Sequence, residues 1–456
     1  MMENSLEFDD KDYEICTFEA AGKSICCRMF KQIVYVRFPI NPELQNLTIY
    51  VPETYYERGE EGEKHLKSVP IFFPNGVGGY MPSAPVIPGE REEGGANAAF
   101  EALLRGYVVV SAGSRGRGTR DGNGHYTGFA PACIVDQKAA VRYLRHNRGK
   151  IPGDPEKIIS NGTSAGGALS ALLGVTGGHP DYEPYLKELG AAEEDDSVFA
   201  SSCYCPITNL EHGDMAYEWE FCGLNHWNGR NGSGEMDEAR VQLSVLEKKL
   251  FPEYVNSLKM TDENGCRLIL DSEGNGSFKD YVQKLAVQSA ETASADGLDI
   301  AGEKFLSIDN GKVTAFDWDG FVRWRGRMKP TPAFDDILLE TPENELFGTA
   351  EEEKRHFTPL SLKYDEAGGK MADDRQIHLM NPMNYIGSAE CRPAGFFRIR
   401  HGTADSDASL AVSAILAVCL SREGIKVDYS LPWGVPHSGD YDLKELFAWM
   451  ESVCDR

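Results

Sequence analysis

The stretch KIISNGTSAGGALS, residues 157–170, decides how the rest of the chain is read. It opens as a short apolar run and ends in small, helix-compatible residues. Between them Gly162-Thr163-Ser164-Ala165-Gly166 spells G-x-S-x-G. In that setting the serine belongs on a strained strand-to-helix turn that pushes its hydroxyl out at the top of a sheet. The flanking small residues let strand and helix approach closely enough to make the turn. The first helical amides then point at whatever Ser164 attacks, which nominates the Ala165 N–H as half of an oxyanion hole. The plainer alternative is a serine capping a helix in a glycine-rich turn.

Outward from this turn the chain alternates strand and helix signals. SVPIFFPNG (68–76), GYVVVSAG (106–113), EKIIS (156–160) and VFASSCYCPI (198–207) are apolar runs of strand length. ACIVDQKAAVRYLRHNRG (132–149) places Ile134, Ala139, Val141 and Leu144 at helical spacing. Such alternation predicts a parallel, doubly wound α/β sheet. From about 206 to 380 the rhythm breaks into charged, loop-rich sequence. This region holds a hairpin, KFLSIDNGKVTAFDW, with its turn at Asn310-Gly311, and a helix over 238–251. From about 394 the rhythm returns with GFFRIRHG, ASLAVSAILAVCLSREG, KVDYSLPWG and YDLKELFAWMESV. Two strands in so short a tail cannot bury themselves. The expected organisation is therefore one core, residues 1–205 and 381–456, interrupted by an insertion, 206–380.

A serine hydroxyl needs an adjacent base, and in this architecture acid and histidine follow the serine in that chain order. His437, in WGVPHSGDY, is the one histidine after the last predicted strand. HGTADSD (401–407) ends the strand before it. The His-Gly-x-x-Asp spelling, recurrent in α/β-hydrolases, selects Asp405 as the acid that orients His437. His401 is expected to be a packing residue beside Gly402. The loop FFPNGVGGYM follows an early strand and could supply the second oxyanion amide from Gly78.

Bulk properties narrow the substrate class. The 456 residues carry 46 basic against 71 acidic side chains, a formal charge of −25, which disfavours nucleic acid and anionic membranes. No run of about 18 apolar residues predicts a membrane span, and the acidic start lacks the pattern of a signal peptide. Eleven irregularly spaced cysteines match no zinc pattern and suit free thiols in a reducing, cytoplasmic setting. DSEGNGSFKDYV (271–282) has the outline of a calcium loop, but Val282 stands where the bidentate glutamate belongs. No metal or cofactor is expected.

Several motifs together resemble the bacterial tannases of the intracellular type: NGVGGYM, FAPACIVDQKAAVRYLRHN, GTSAGGA, PITNLEHGDMAYEWEF, RMKPTPAFDDI, ENELFG, NPMNY and HGTADSD. Some lie inside the insertion, which shared α/β-hydrolase ancestry alone would not explain. The resemblance implies a serine esterase that releases gallic acid from galloyl esters, with the insertion as a lid. It places the triad on Ser164, Asp405 and His437. It also assigns three readers of the phenolic hydroxyls: Lys329, Glu343 and Asp407, with Ile207 and Pro342 as apolar walls. Carboxylates can accept from phenols and an ammonium can donate to them.

Bland readings stand beside these. Asp407 could cap the following helix, Lys329 could be a solvated lysine, and Glu345 competes with Glu343. The segment 268–305 shows no family spelling, so leaving-group preference is open. The neighbouring function is a broader phenolic-acid esterase acting on feruloyl or protocatechuoyl esters. A different class altogether is a non-catalytic ligand-binding member of the fold.

Overall fold

A computed structural model describes residues 3–92, 94–230, 232–300 and 302–455. Its centre is a nine-stranded sheet. The chain enters through β1 (Glu14–Ala20), β2 (Lys23–Val34) and β3 (Asn46–Pro52), then β4 (Pro70–Pro74), β5 (Val108–Ala112), β6 (Asp154–Thr163) and β7 (Ala200–Tyr204). The insertion carries two small hairpins, β8 (His226–Gly229) with β9 (Gly232–Glu235), and β10 (Leu306–Asp309) with β11 (Lys312–Phe316). The sheet finishes with β12 (Phe396–Arg400) and β13 (Lys426–Ser430). Across the sheet the order is β1-β2-β3-β5-β4-β6-β7-β12-β13.

The expected parallel winding holds from β5 to β13. It does not extend to the other edge, where β1, β2 and β3 are antiparallel to their neighbours and β3 is antiparallel to β5. Sequence reading left these three strands unassigned: β1 and β2 are exposed along much of their length, so no continuous apolar run marks them, and β3 is buried throughout but mixes Asn46, Thr48 and Pro52 with its apolar residues. The β1–β2 turn, Ala21-Gly22, has φ of 49° and 73°, the positive pair that a two-residue hairpin needs.

The central strands β4 and β5 and the Ile158-Ile159 stretch of β6 are apolar because both faces are covered. Ile71, Phe73, Val108, Val110 and Ile158 face one core with the helices Ala132–His146, Ala165–Val175 and Leu410–Arg422. Their neighbours Phe72, Val109 and Ile159 face the other, with Ala98–Leu104 and Leu443–Cys454. This is the period-two alternation of a strand with no polar side.

The two strands that flank the insertion in sequence, β7 and β12, are hydrogen-bonded neighbours in parallel register. The segment between them therefore leaves the sheet at its carboxyl end and returns to start the next strand. It has no separate core. Tyr217, Trp219, Phe221, Phe251, Phe278 and Phe321 belong to the same buried cluster as Ala414 and Ile415 of the sheet-covering helix.

Candidate active site

At the end of β6 the backbone of Ser164 adopts φ 60°, ψ −122°, and the helix Ala165–Val175 starts at the next residue. Positive φ is uncommon for a residue with a side chain and marks stored strain. The close packing that sustains it explains the glycines. A Cβ on Gly162 would meet Gly166 O at 2.2 Å, and one on Gly166 would meet Asn75 Oδ1 at 2.5 Å. The Ser164 N–H donates to Tyr204 O at 2.9 Å, which ties the turn to β7.

The glycine loop after β4 is fastened to this turn by a residue that sequence reading missed. Buried Asn75 donates from Nδ2 to Asn161 O (3.2 Å) and Gly166 O (3.0 Å), while Oδ1 accepts from Val77 N–H (3.3 Å). Arg117 Nε donates to Gly79 O at 2.6 Å and Tyr80 Oη donates to Ile207 O at 2.9 Å. Gly78 and Ser164 line one small cavity together with Asn75 and His437. Gly79, its neighbour, borders the larger cavity described below.

Asp405 follows β12 and is fully buried. Its Oδ2 lies 2.8 Å from His437 Nδ1, in the loop after β13. The same oxygen lies 3.3 Å from Nε2 of His401, so His401 is more than packing beside Gly402. It is held in turn by Ser413, whose Oγ is 2.9 Å from its Nδ1. Burial works against the Asp405 anion, but the two histidines outweigh it and hold the carboxyl far below its ordinary range. Burial likewise opposes the His437 cation, and Asp405 outweighs it, so the imidazole is raised. His437 Nε2 makes no hydrogen bond among the described residues, to Ser164 or otherwise. It lies 3.3 Å from Asp407 Oδ2. Cys205, Asp405 and His437 bring a thiol, a carboxylate and an imidazole within 4.8 Å of one another. Such a donor set suits a soft cation, but here Asp405 and His437 are paired with each other.

Ser164 also opens onto a cavity of about 660 Å³. Ile207, Lys329, Pro342, Glu343 and Asp407 all line it. Lys329 Nζ sits 2.5 Å from Asp407 Oδ1 and 4.1 Å from the centre of the Phe334 ring. The Lys329 ammonium is opposed by burial and favoured more strongly by Asp407 and Glu343, which raise it. Glu343 is raised by burial, with Lys329 pulling the other way. Its rival Glu345 points elsewhere and pairs with Arg117 and with Lys354. Asp407 is not the helix cap, since Ser409 accepts from Ala411 N–H in that role.

The helix Gly213–Phe221, within PITNLEHGDMAYEWEF, organises the loops that carry these groups. Tyr217 Oη accepts from Met328 N–H (3.1 Å) and Lys329 N–H (3.2 Å), and donates to Ser406 O at 3.0 Å. Glu218 pairs with Arg327, and Glu220 with Arg325, which also donates to Asp405 O. Asp214 accepts from Phe334 N–H at 2.7 Å. Three carboxylates buried on one short helix were a legible signal of a partnered hub, although their partners were not. Trp227, Arg230 and Arg240 also line this cavity, although sequence reading named no site residue there.

With that geometry in place the relatives are informative. The chain is 45% identical to the crystal structure of Fusobacterium nucleatum tannase, covering 99% of each chain at a TM-score of 0.94. The chain belongs to the bacterial tannase family. A tannin acyl hydrolase solved in complex with ethyl gallate is 41% identical to this family member, over 98% of this chain and 99% of that one, at a TM-score of 0.92. The BD-FAE family model, an α/β-hydrolase family, matches residues 90–212. Esterase LipQ of Mycobacterium tuberculosis is 32% identical over 97 residues, 21% of this chain. This chain spans about a fifth of that curated relative, 22% of its length. These likenesses place the tannase-like chain among the carboxylic ester hydrolases of α/β-hydrolase fold. Among the described residues no helix is long and apolar enough to cross a membrane.

Proposed function

We propose that the chain hydrolyses galloyl esters, tannins and alkyl gallates among them, to gallic acid and an alcohol through an acyl-enzyme. The observation that carries this reading is the convergence of Lys329, Glu343 and Asp407 with Ser164 on one cavity. An ammonium and two carboxylates around an apolar slot suit three adjacent ring hydroxyls.

In the proposed reaction Ser164 Oγ attacks the ester carbonyl while its proton passes to His437 Nε2. Asp405 holds the imidazole by Nδ1 and stabilises the imidazolium without taking its proton. The amides of Ala165 and Gly78 receive the oxyanion. Cleavage of the C–O bond sends the Nε2 proton to the departing alkoxide and leaves a galloyl ester on Ser164. Water then attacks with His437 as base, which returns gallic acid and the free serine. For the first transfer Nε2, which makes no hydrogen bond to Ser164 in the structure, has to approach it more closely; catalytic hydrogen bonds often tighten only once substrate binds.

Residues 206–380 act in this proposal as a lid over residues 1–205 and 381–456. The partner is a small phenolic ester, with no nucleic acid or membrane involved and no cofactor used. Eleven free cysteines fit a reducing, cytoplasmic setting.

The test is ester cleavage across methyl gallate, methyl protocatechuate, methyl 4-hydroxybenzoate, methyl benzoate and methyl ferulate. Activity that falls steeply as hydroxyls are removed is expected, because a site built for hydroxyls is left with unpaired polar groups by analogues lacking them. Equal cleavage of benzoate or ferulate would leave an esterase without a galloyl site.

A further inference from the structure

His437 has one nitrogen available to act as a base. Nδ1 is committed to Asp405 at 2.8 Å, which leaves Nε2. Nε2 faces the Asp407 carboxylate, 3.3 Å from Oδ2, and has no hydrogen bond to Ser164. The remaining groups around the ring are the Cys205 thiol within 4.8 Å, His401 on the same Asp405 oxygen, and Lys329 on the other oxygen of Asp407. The imidazole therefore sits between two carboxylates, and only one of the two is also paired with a lysine. An anion at this distance favours the charged ring. A charged ring holds its Nε2 proton and cannot take the one on Ser164.

Asp407 is also a wall of the cavity that would hold the acyl group. A ring hydroxyl donating to Oδ2 would occupy the oxygen that now faces Nε2. Lys329 already holds Oδ1, so this is the side of the carboxylate left for a ligand. We propose that Asp407 couples recognition to catalysis: until a ring hydroxyl engages it, it keeps His437 protonated and out of hydrogen-bond contact with Ser164, and the hydroxyl releases the ring to act as base. The inference rests on the galloyl reading of the cavity. The Nε2 proton given up on release passes to solvent through the open cavity, so binding of the hydroxylated ring is accompanied by proton release. No electron changes hands and no bond other than N–H breaks. Acyl selectivity then arises in the chemical step as well as in binding, since a substrate without the hydroxyl is bound beside an inactive base.

The unmodified protein supplies the first test. Pyrogallol carries three adjacent hydroxyls and no carboxylate. Its binding near neutral pH, followed by calorimetry in buffers of different ionisation enthalpy, is expected to release a proton, and the His437 imidazole resonance is expected to shift toward the neutral form. Binding with no proton release and no shift overturns the coupling. The second test compares wild type with Asp407→Ala on p-nitrophenyl acetate, whose acyl group has no hydroxyl to offer. The rising limb of kcat/KM against pH should move down by about one unit in the variant, roughly a tenfold gain below the wild-type limb. Methyl gallate cleavage by the same variant should collapse. If gallate cleavage is lost and the acetate limb stays in place, the coupling fails while the galloyl reading stands. If gallate cleavage persists at the wild-type rate, the galloyl reading itself fails.

Discussion

The backbone N–H of Asp407 donates to Oδ1 of Asp405 at 2.8 Å. Two aspartates two positions apart are thereby locked in one turn with opposite outlooks. Asp405 faces inward to the two histidines, and Asp407 faces the cavity and Lys329. This bond links the proposed acid of the triad mechanically to a proposed reader of the substrate. The turn is held from outside by Arg325 on Asp405 O and by Tyr217 on Ser406 O, both residues of the insertion. The insertion thus supports this turn as well as lining the cavity.

Removing the proposed nucleophile or base should lower kcat for methyl gallate by about 10⁴-fold or more, for Ser164→Ala and His437→Ala alike. The double variant should be hardly worse than either single one, since the groups act as a unit. Asp405→Asn is expected to cost about 10⁴-fold as well, through loss of the imidazole's orientation. Steady-state kinetics with active-site titration check all four proteins. Strictly additive losses would argue against a shared proton path.

The pH profile follows from the raised His437. A base is active in its neutral form, so a raised pKa delays activity to higher pH. The rising limb of kcat/KM on p-nitrophenyl acetate should therefore lie above the ordinary histidine value of about 6.5. A limb at or below that value would mean that Asp405 and Asp407 do not govern the ring.

The ring readers should be separable by substrate. Lys329→Met and Glu343→Gln are each expected to lower kcat/KM for methyl gallate by roughly 10- to 100-fold, the range of a hydrogen bond to a charged group. Above the rising limb of the pH profile, where His437 is neutral, both should leave p-nitrophenyl acetate within a few-fold of wild type. Glu345→Gln should instead loosen the Arg117 contact and the loop around Gly79, depressing both substrates together.

Tyr217→Phe deletes one hydroxyl that serves Met328, Lys329 and Ser406. The ring packing remains, so the fold should persist with a loss of about 1 kcal/mol. KM for methyl gallate should rise more than kcat falls, because Lys329 loses its backbone anchor. Chemical denaturation and kinetics on the same preparation test both parts.

A separate prediction concerns stability. Glu247 is buried near Asp214, Glu218 and Asp335, and burial, reinforced by those carboxylates, pushes it up to about 9 from 4.5. The unfolded chain ionises this group near 4.5 while the folded chain retains its proton. Its cost to stability is absent below about 4.5 and grows as pH rises toward 9. Glu247→Gln should therefore raise stability by about 2 kcal/mol at pH 8 and change little at pH 5. Melting curves at the two pH values decide it, and an equal gain at both would point to packing rather than ionisation.

The features legible from residue order alone are local or ordered along the chain. The Ser164 turn is legible because its glycines are demanded by contacts with Gly166 and Asn75, and a strand and helix flank it within a few residues. Asp405 and His437 are legible from their places after the last two strands, since parallel α/β topology brings successive strand ends to one edge of the sheet. The antiparallel edge strands β1 and β2 were not, because their exposed positions break up the apolar run. Nor could spacing choose between Glu343 and Glu345, which share one short helix and differ only in which way it presents them. Asn75 and Tyr217 act across separations of 86 and 189 residues. Only tertiary packing decides such contacts, because a hydrogen bond needs two groups within about 3 Å, and chain order carries no such distance. The facing of His437 Nε2 toward Asp407 belongs to the same kind: the residues were written in the sequence, and their meeting was set by the fold.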